Sequence, residues 1–432
     1  MIYKNKCIKV VWSLLLLPTL FVTAKITFTA PTSRLKVSAK AKIVPKTKIT
    51  IKTGTLVQGK NATLEGNNYT LNNASLDQES KTNITASTGV LNPKANTLTS
   101  QSKTAATGGV LSQKVKVSGK NATLEGYATS FSKNTIILED ADTLLEYSVI
   151  SNQPSEIILN GGTVKLLNDL KFSGTASLIG DGIIDYNDRA MWLDDTPRTF
   201  GGTILHQNAD IELDGTVTIT GAWLFSGIGT LAGHGHELKL AEDGVIIVQP
   251  HSVLTLHNVQ ITGLKASNIS CCGATATVIF SDSNLSLERD FTFTTGAMGC
   301  EYDVVVRGTS ILSYQSESTL TVSPCSQLHM EELHFVYAPS IDDRDLFVMN
   351  DQSSRFFIDG ITLETTTTGM RLTKGTLLID HKNVLINAGA TSLSEGFGFG
   401  DGIANDDLSF IVKPGGSIDL ESGMIDYQNV NA

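Results

Sequence analysis

The chain has 432 residues, of which 41% are hydrophobic and 18% are charged, and its formal net charge at pH 7 is −10. With 38 Gly, 10 Pro and 6% aromatic residues, this composition excludes a collagen, a coiled coil, a helical bundle and a polytopic membrane protein, because each of these needs a residue pattern that the chain lacks. The acidic balance also argues against a nucleic-acid-binding protein.

The first segment of the chain has the pattern of a signal peptide. Three lysines precede an apolar run over residues 10–22, and Ala24 offers a cleavage site. We interpret residues 1–24 as a signal peptide and expect an exported protein in the periplasm, at the cell surface or outside the cell. The apolar run is shorter than the about 20 residues that a membrane-spanning helix needs. No membrane span is therefore expected after removal of the signal.

The charge of the chain changes sign near residue 120. Residues 25–120 hold 15 Lys and Arg against 3 Asp and Glu, whereas residues 121–432 hold 15 against 40. This change predicts a domain boundary. The basic part is rich in Ser, Thr and Asn, and it has few large apolar residues to offset the entropy of ordering. We interpret it as a low-complexity, partly flexible stem.

The stem also contains an internal duplication. The octapeptide GKNATLEG occurs at Gly59–Gly66 and again at Gly119–Gly126. Duplicated short segments bounded by Gly are typical of stacked repeat units. A solvated linker and a stem that contacts anionic envelope polymers both stay open as interpretations.

The acidic part has a longer repeat and a clear strand pattern. A segment that starts at Gly162 resembles one that starts at Gly215, without a gap. Apolar residues alternate and then stop at Gly, Asn or Asp, as in VLTLHNVQI at Val253–Ile261, where one position is skipped. This pattern is typical of short strands joined by turns. A gapless repeat favours a solenoid, because one repeat can bury its apolar face only against a neighbour. If the 53-residue offset is two coils, about 300 residues form roughly eleven coils.

Four segments resemble right-handed parallel β-helix proteins of the pectin-lyase-like kind: LIGDGIIDYN at Leu178, LAGHGHELKL at Leu231, LTLHNVQITG at Leu254 and HKNVLINAG at His381. The resemblance covers about residues 135–430. It implies an all-β, right-handed parallel β-helix (β-solenoid) with G-x-G segments at corners between strands. It also implies that residues such as Asn258 and Asn383 stack inside the helix as ladders. We assign the acidic β-helix domain to residues 121–432, preceded by the low-complexity basic stem.

An enzymatic interpretation depends on four residues that follow the order found in polygalacturonase-like proteins: Asp188, Asp194, Asp195 and His234. Inverting hydrolysis needs two carboxyl groups about 6.5–9.5 Å apart, and Asp195 as acid with Asp194 or Asp188 as base would supply them. The spacing departs from the family pattern, and His234 aligns with Asp181 in the internal repeat. We therefore interpret the G-x-G segment around His234 as a structural corner, and we keep a polysaccharide hydrolase or lyase as the alternative function.

Four cysteines follow the signal segment: Cys271, Cys272, Cys300 and Cys325. Their spacing is close to the expected coil length, so we expect them to stack on adjacent coils and predict disulfides. Free thiols and a four-cysteine zinc site stay open as alternatives, although the C-x-x-C pairs typical of structural zinc sites are missing. No metal ion or other cofactor is expected.

These observations favour a non-enzymatic, exported β-solenoid that acts as an adhesive or structural binding module of the cell surface or envelope. Its expected partner is a polysaccharide or another envelope polymer. The open strand edges at the ends of a solenoid also predict a capping protein or self-association. No nucleic-acid partner is expected.

Overall fold

A computed structural model describes the strands between Thr19 and Leu166, residues 169–172, and residues 177–428 without 350, 367–368, 388 and 403–407. The chain divides into two compact units, residues 1–170 with 174–176 and residues 171–173 with 177–432. The predicted signal peptide lies outside the described residues except for one strand, and it stays a prediction. Within the described residues, no helix is long and apolar enough to cross a membrane.

The strands of the first unit are β1 Thr19–Val22, β2 Ile26–Phe28, β3 Arg34–Val37, β4 Lys42–Pro45, β5 Ile49–Ile51, β6 Gly54–Gln58, β7 Thr63–Gly66, β8 Tyr69–Asn72, β9 Ala74–Gln78, β10 Asn83–Ala86, β11 Gly89–Asn92, β12 Ala95–Leu98, β13 Lys103–Ala106, β14 Val115–Ser118, β15 Ala122–Gly126, β16 Thr135–Glu139, β17 Asp142–Leu145, β18 Val149–Ile150, β19 Glu156–Asn160 and β20 Thr163–Leu166.

Strands β7, β10, β13 and β15 of this unit stack in parallel at a constant spacing of 20 residues. Leu64 pairs with Ile84, Ile84 with Thr104, and Thr104 with Leu124. The two copies of GKNATLEG are therefore three coils apart and occupy the same position in the stack, which confirms the stacked units that the duplication predicted. Because β13 pairs with β15, the paired strands continue across the charge boundary near residue 120.

The remaining elements are β21 Leu170–Phe172, β22 Ser177–Ile179, β23 Gly182–Asp185, β24 Met191–Leu193, β25 Arg198–Phe200, β26 Thr203–Gln207, β27 Asp210–Leu213, β28 Val217–Ile219, β29 Ala222–Ser226, β30 Ile228–Ala232, β31 Glu237–Leu240, β32 Val245–Val248, β33 Val253–His257, β34 Gln260–Thr262, β35 Ile269–Cys271, β36 Thr277–Ser281, β37 Asn284–Leu287, β38 Phe291–Phe293, β39 Ala297–Glu301, β40 Asp303–Gly308, β41 Ile311–Tyr314, β42 Leu320–Val322, β43 Gln327–Glu331, β44 His334–Tyr337, β45 Phe347–Met349, β46 Arg355–Asp359, β47 Thr362–Thr365, β48 Arg371–Leu372, β49 Gly375–Asp380, β50 Lys382–Ile386, a 3-10 turn Leu393–Glu395, β51 Phe397–Phe399, β52 Leu408–Val412, β53 Ser417–Ser422 and β54 Ile425–Tyr427.

From β23 onward the strands rotate through three faces. Face 1 is formed by β23, β26, β29, β32 and β35 and then by β38, β41, β44, β47, β50 and β53. Face 2 runs from β24 to β45 in every third strand and ends with β48, β51 and β54; face 3 is one ten-stranded sheet from β25 to β52. Neighbouring strands on each face run parallel. The all-β parallel β-helix prediction is confirmed, with about ten coils; its handedness stays a prediction.

Apolar side chains that alternate along each strand fill the interior. On face 3 one buried residue from each coil faces the next in register: Leu238, Ile261, Leu285, Val306, Met330, Ile358 and Ile379. Burying one such side chain contributes about 1.5–3 kcal/mol relative to leaving it in water. The continuous ladder explains why a single coil cannot be stable alone, whereas a stack can.

The 53-residue repeat does not correspond to two coils, and that prediction is wrong. Leu178 lies in β22, which packs against β25 of face 3, whereas Leu231, the residue aligned with it, lies in β30 of face 2. Coil lengths in this unit also vary: Ile204 pairs with Trp223, 19 positions later, whereas Met330 pairs with Ile358, 28 positions later. The repeat reflects the strand-and-corner pattern that all three faces share.

The skipped position in VLTLHNVQI is a corner. Leu256 and Val259, on either side of it, are buried, and Asn258 adopts a left-handed conformation with φ 46°. Asn258 and Asn383 do not belong to one internal ladder, because Asn258 is a half-buried corner residue between face 2 and face 3, whereas Asn383 lies in β50 of face 1. Asn383 is buried in β50, and its Oδ1 accepts a hydrogen bond from the Ile361 N–H at 3.0 Å.

Candidate functional site

The corner between face 2 and face 3, named here the second corner, has a non-Gly residue in the left-handed conformation on five consecutive coils: His234, Asn258, Asp282, Tyr302 and Cys325, with φ between 46° and 56°. On the first of these coils Gly235 is also left-handed, with φ 83°. Non-Gly residues adopt this conformation uncommonly. Four of the five side chains are exposed, and Asn258 is half-buried. The second corner therefore presents one variable side chain on each coil.

A groove with a volume of about 710 Å³ lies along this corner. Its lining residues come from five consecutive coils: His257, Asp282, Tyr302, Asp303, Cys325, Ser326, Gln327, Ser353 and Arg355. Coils stack about 4.8 Å apart, so the lining extends about 19 Å along the solenoid axis. The shape suits an extended ligand that lies parallel to the axis.

Polar side chains form an in-register row at one wall of the groove. Asp303, Gln327 and Arg355 begin three consecutive strands of face 3 and pair with one another in order. Gln327 Nε2 donates a hydrogen bond to Asp303 Oδ1 at 3.0 Å, whereas Arg355 is exposed. The row offers donors and acceptors at a fixed coil spacing.

Two serine hydroxyls hold the corner backbone beside this row. The Tyr302 N–H donates to Ser326 Oγ at 2.8 Å, and the Cys325 N–H donates to Ser353 Oγ at 2.8 Å. These bonds satisfy backbone donors that the sharp turn removes from the strand ladder. The Tyr302 side chain stays 64% exposed, so the groove carries a rigidly mounted, solvent-facing aromatic ring.

Beyond the polar row, face 3 carries an aromatic cluster on its outer side. The rings of His329 and Phe357 stack with centroids 4.0 Å apart and an interplanar angle of 10°. Lys413 Nζ lies 4.1 Å from the centroid of the Phe357 ring, which is cation–π geometry. The cluster covers Phe357, which is only 8% exposed.

Of the four residues of the enzymatic alternative, Asp194 has a clear structural partner. It forms an ion pair with Arg198, whose side chain is buried and also donates from Nη2 to the Phe172 carbonyl oxygen at 3.1 Å. Asp194 Oδ1 further accepts the Thr196 N–H at 3.2 Å. Removing one partner of a buried pair leaves an uncompensated charge, so Asp194 stabilises this coil. Asp195, next to it, is exposed.

The structure does not bring the other two residues of that alternative together with Asp194. Asp188 lies in the turn before β24 and Asp194 directly after β24, whose three residues alone extend about 10 Å. His234 lies on the second corner, where its Nε2 is 2.6 Å from Glu212 Oε2. His234, Asp194 and Asp195 thus lie on the same edge of the solenoid as the groove, but outside its lining. Their catalytic role stays a prediction.

The four cysteines do not stack on adjacent coils as expected: Cys271 ends β35 on face 1, Cys300 lies in β39 on face 2, and Cys325 lies at the second corner. Cys300 in β39 faces Phe280 and Val322 on the neighbouring strands. Burial raises the pKa of Cys271 and of Cys300 to about 12, so both thiols are protonated and unreactive at neutral pH. Cys272 and Cys325 are exposed, and disulfide pairing stays a prediction.

The sequence analysis missed the residues that line the groove. Tyr302, Gln327 and Arg355 are separated by 25 and 28 positions along the chain, and no motif joins them. The skipped position between alternating strands was the available signal, since Asn258, Asp282 and Tyr302 each occupy such a position.

Comparison with known proteins gives no match: no family model, no curated protein and no solved structure is significantly similar to this chain. The fold and the groove define the class of protein as a parallel β-solenoid with a lengthwise groove at one corner.

Proposed function

We propose that the protein is an exported β-solenoid that binds an extended, uncharged polysaccharide in the groove of the second corner. The observation that carries the proposal is the groove itself, which follows the solenoid axis over five coils and contains an exposed aromatic ring. Binding would make the protein an adhesive or structural module of the cell surface or envelope, and the signal-like N-terminus supports export.

The lining has the chemistry that sugar rings need. An aromatic ring offers an apolar face on which the C–H face of a sugar can stack. Asp303, Gln327 and Arg355 present planar polar groups with several donors and acceptors. Their in-register spacing repeats along the axis, so successive sugars each meet a polar side chain, and the chemistry of that side chain differs from coil to coil.

The charge of the site favours an uncharged polymer. Two carboxylates, Asp282 and Asp303, face one guanidinium, Arg355, in the lining. Residues 121–432 carry 15 basic against 40 acidic residues, so an anionic polysaccharide would meet a repulsive field at this groove.

A binding assay with the purified protein tests this proposal. We expect affinity for a neutral polymer in a panel of β-glucan, mannan and xylan, and weaker or no affinity for polygalacturonate, alginate and hyaluronan. Tyr302→Asn removes the ring but keeps a residue that accepts the left-handed conformation, as Asn258 does. We expect this variant to bind about tenfold more weakly, which corresponds to about 1.4 kcal/mol.

Tyr427→Asn is the matched control, because Tyr427 is 51% exposed but lies outside the groove lining. It should bind like the unchanged protein. Equal affinities of both variants, or a preference for the anionic polymers, would contradict the proposal. Cell fractionation tests export, and a full-length protein in the cytosol would argue against it.

The same panel examines the degradative alternative. New reducing ends or unsaturated products that disappear in Asp194→Ala or Asp195→Ala would assign catalysis to the predicted residues. Polymer that is bound and recovered intact would support a binding module.

A further inference from the structure

The corner between face 3 and face 1, named here the third corner, brings three potential metal ligands together. Asp359 ends β46 and Asp380 ends β49, and the two residues are directly opposite each other in parallel register. His381 is the left-handed corner residue that follows, with φ 50°. One ligand atom from each of the three side chains lies within 4.8 Å of the others, and no other group of three such side chains in the described part of the chain does so.

The cluster is organised by short polar contacts. His381 Nδ1 lies 2.5 Å from Asp359 Oδ1, and the His381 N–H donates to Asp380 Oδ1 at 2.9 Å. The Asp359 carboxylate raises the pKa of His381. The Lys413 ammonium group, with Nζ 3.2 Å from Asp380 Oδ2, lowers the pKa of that carboxyl. Both carboxyl groups are half-buried, so their positions are set by the strands that carry them.

A second histidine lies beside Asp359. The Nε2 atom of His329 is buried and has no hydrogen-bond partner among the described residues. It lies 3.5 Å from Asp359 Oδ2, and stacking on Phe357 fixes the ring. A buried nitrogen without a hydrogen bond is unfavourable unless a bound group satisfies it, and a water molecule on a metal ion at Asp359 would lie close to this nitrogen.

The charge along this edge also favours a bound cation. Glu331, Asp359 and Asp380 occupy three consecutive in-register positions, with Arg307 before them. Like charges directly opposite each other destabilise a sheet. Lys413 compensates for one of them, but its side chain is 43% exposed, so it can leave Asp380 without unfolding a strand.

We propose that Asp359, Asp380 and His381 bind a Zn²⁺ ion, with water as the fourth ligand. Mixed imidazole and carboxylate ligands suit Zn²⁺, which prefers four ligands in tetrahedral geometry. The ion would replace the contact between His381 Nδ1 and Asp359 Oδ1 and the contact between Lys413 Nζ and Asp380 Oδ2. It would join two successive coils, those of Asp359 and Asp380, and would brace the outer face of the solenoid.

Isothermal titration of the purified full chain with ZnCl₂ tests this proposal. We expect one site per chain at the third corner, and a rise in the unfolding temperature when Zn²⁺ is present, because an ion that binds only the folded state stabilises it. Asp359→Asn and His381→Asn should each weaken binding by more than about 100-fold, since even residues that only orient ligands affect metal affinity by about 10–100-fold. Asn at position 381 is compatible with the left-handed backbone.

Two controls separate this site from other zinc ligands. His251→Asn changes an exposed histidine that also has a left-handed conformation, φ 58°, and it should leave Zn²⁺ binding unchanged. The double variant Cys272→Ser, Cys325→Ser removes the two exposed thiols and should also bind normally. When Co²⁺ is bound in place of Zn²⁺, the absorption spectrum of the protein should show no thiolate-to-metal charge-transfer band.

Three results would overturn the proposal. The first is that the unchanged protein binds no Zn²⁺, the second is that Asp359→Asn and His381→Asn bind it as tightly as the unchanged protein, and the third is that the cysteine variant loses binding. Circular dichroism of each variant distinguishes a lost ligand from a lost fold. The variants Asp359→Asn, His381→Asn and His251→Asn leave the groove residues unaltered, so polysaccharide binding by these three variants reports separately on the proposed function.

Discussion

At the scale of single residues, the interior of the solenoid contains a histidine that stays neutral. His206 is fully buried, its Nδ1 lies 2.9 Å from the Tyr186 hydroxyl, and its ring stacks on Phe225. Burial lowers the pKa of His206 to about 3, because a charged imidazolium would lose its hydration. The neutral ring is tolerated among aromatic neighbours, which explains a polar residue in the core.

This burial predicts a loss of stability in acid. In the unfolded chain His206 titrates near pH 6.5, so between about pH 6.5 and pH 3 only the unfolded state binds the proton. The free energy of unfolding should therefore decrease as the pH falls, by about 1.4 kcal/mol per pH unit from this residue. Urea unfolding of the unchanged protein and of His206→Phe at pH 7, 6 and 5 measures this pH dependence of the free energy of unfolding. The pH dependence should be flatter in His206→Phe; parallel curves would show that His206 does not contribute.

At the scale of elements, the corners depend on glycines with little free space. Gly263 has φ 73°, and a Cβ atom at this position would lie 2.0 Å from the Leu240 carbonyl oxygen of the preceding coil. Gly415, between β52 and β53, also has a positive φ, but a Cβ there would meet nothing within 4 Å. Substitutions at Gly263 and Gly415 therefore separate two effects on stability, that of backbone conformation and that of close approach between coils.

We expect Gly263→Ala to be much more destabilising than Gly415→Ala. The left-handed conformation alone costs roughly 1–2 kcal/mol for a non-Gly residue, and this applies to both variants. At Gly263 the neighbouring backbone must also move, so the additional loss should be at least about 2 kcal/mol. Thermal and urea unfolding of both variants measure the difference. Equal losses would mean that the coils can separate at this corner at little cost.

The elements also show why the sequence predicted the fold better than the site. Alternation and the skip at Asn258 depend only on residues close in sequence, and both are confirmed. Contacts between coils depend on coil length, which varies because the turns differ. The shared strand pattern aligned Leu178 with Leu231 on different faces. The pairing of Asp359 with Asp380 depends on the same lengths, so the expectation of no metal ion was made without knowledge of this cluster.

At the scale of the whole molecule, a stack of coils interacts mainly with its nearest neighbours. In the first unit the strands β7, β10, β13 and β15 follow one another every 20 residues, and Thr85 pairs with Ala105. Deleting residues 85–104 therefore connects Ile84 to a residue that already occupies the position of Thr85. We expect this chain to fold, with circular dichroism typical of β-sheet and one coil fewer. Deleting residues 85–94 instead should abolish the parallel register there and lower the unfolding temperature. If both deletions behave alike, the 20-residue register of this unit would be in doubt.

The second corner presents a different side chain on each coil, at a regular spacing along the solenoid axis. Coil stacking sets a step of about 4.8 Å, and a uniform row of side chains would let a bound polymer slide from one step to the next without losing contacts. In this protein the corner side chain differs from coil to coil, from His234 through Asp282 and Tyr302 to Cys325. A polymer held in the groove would therefore lose contacts if it shifted by a fraction of its own repeat. It would be held in a fixed register, in which each sugar faces a defined coil.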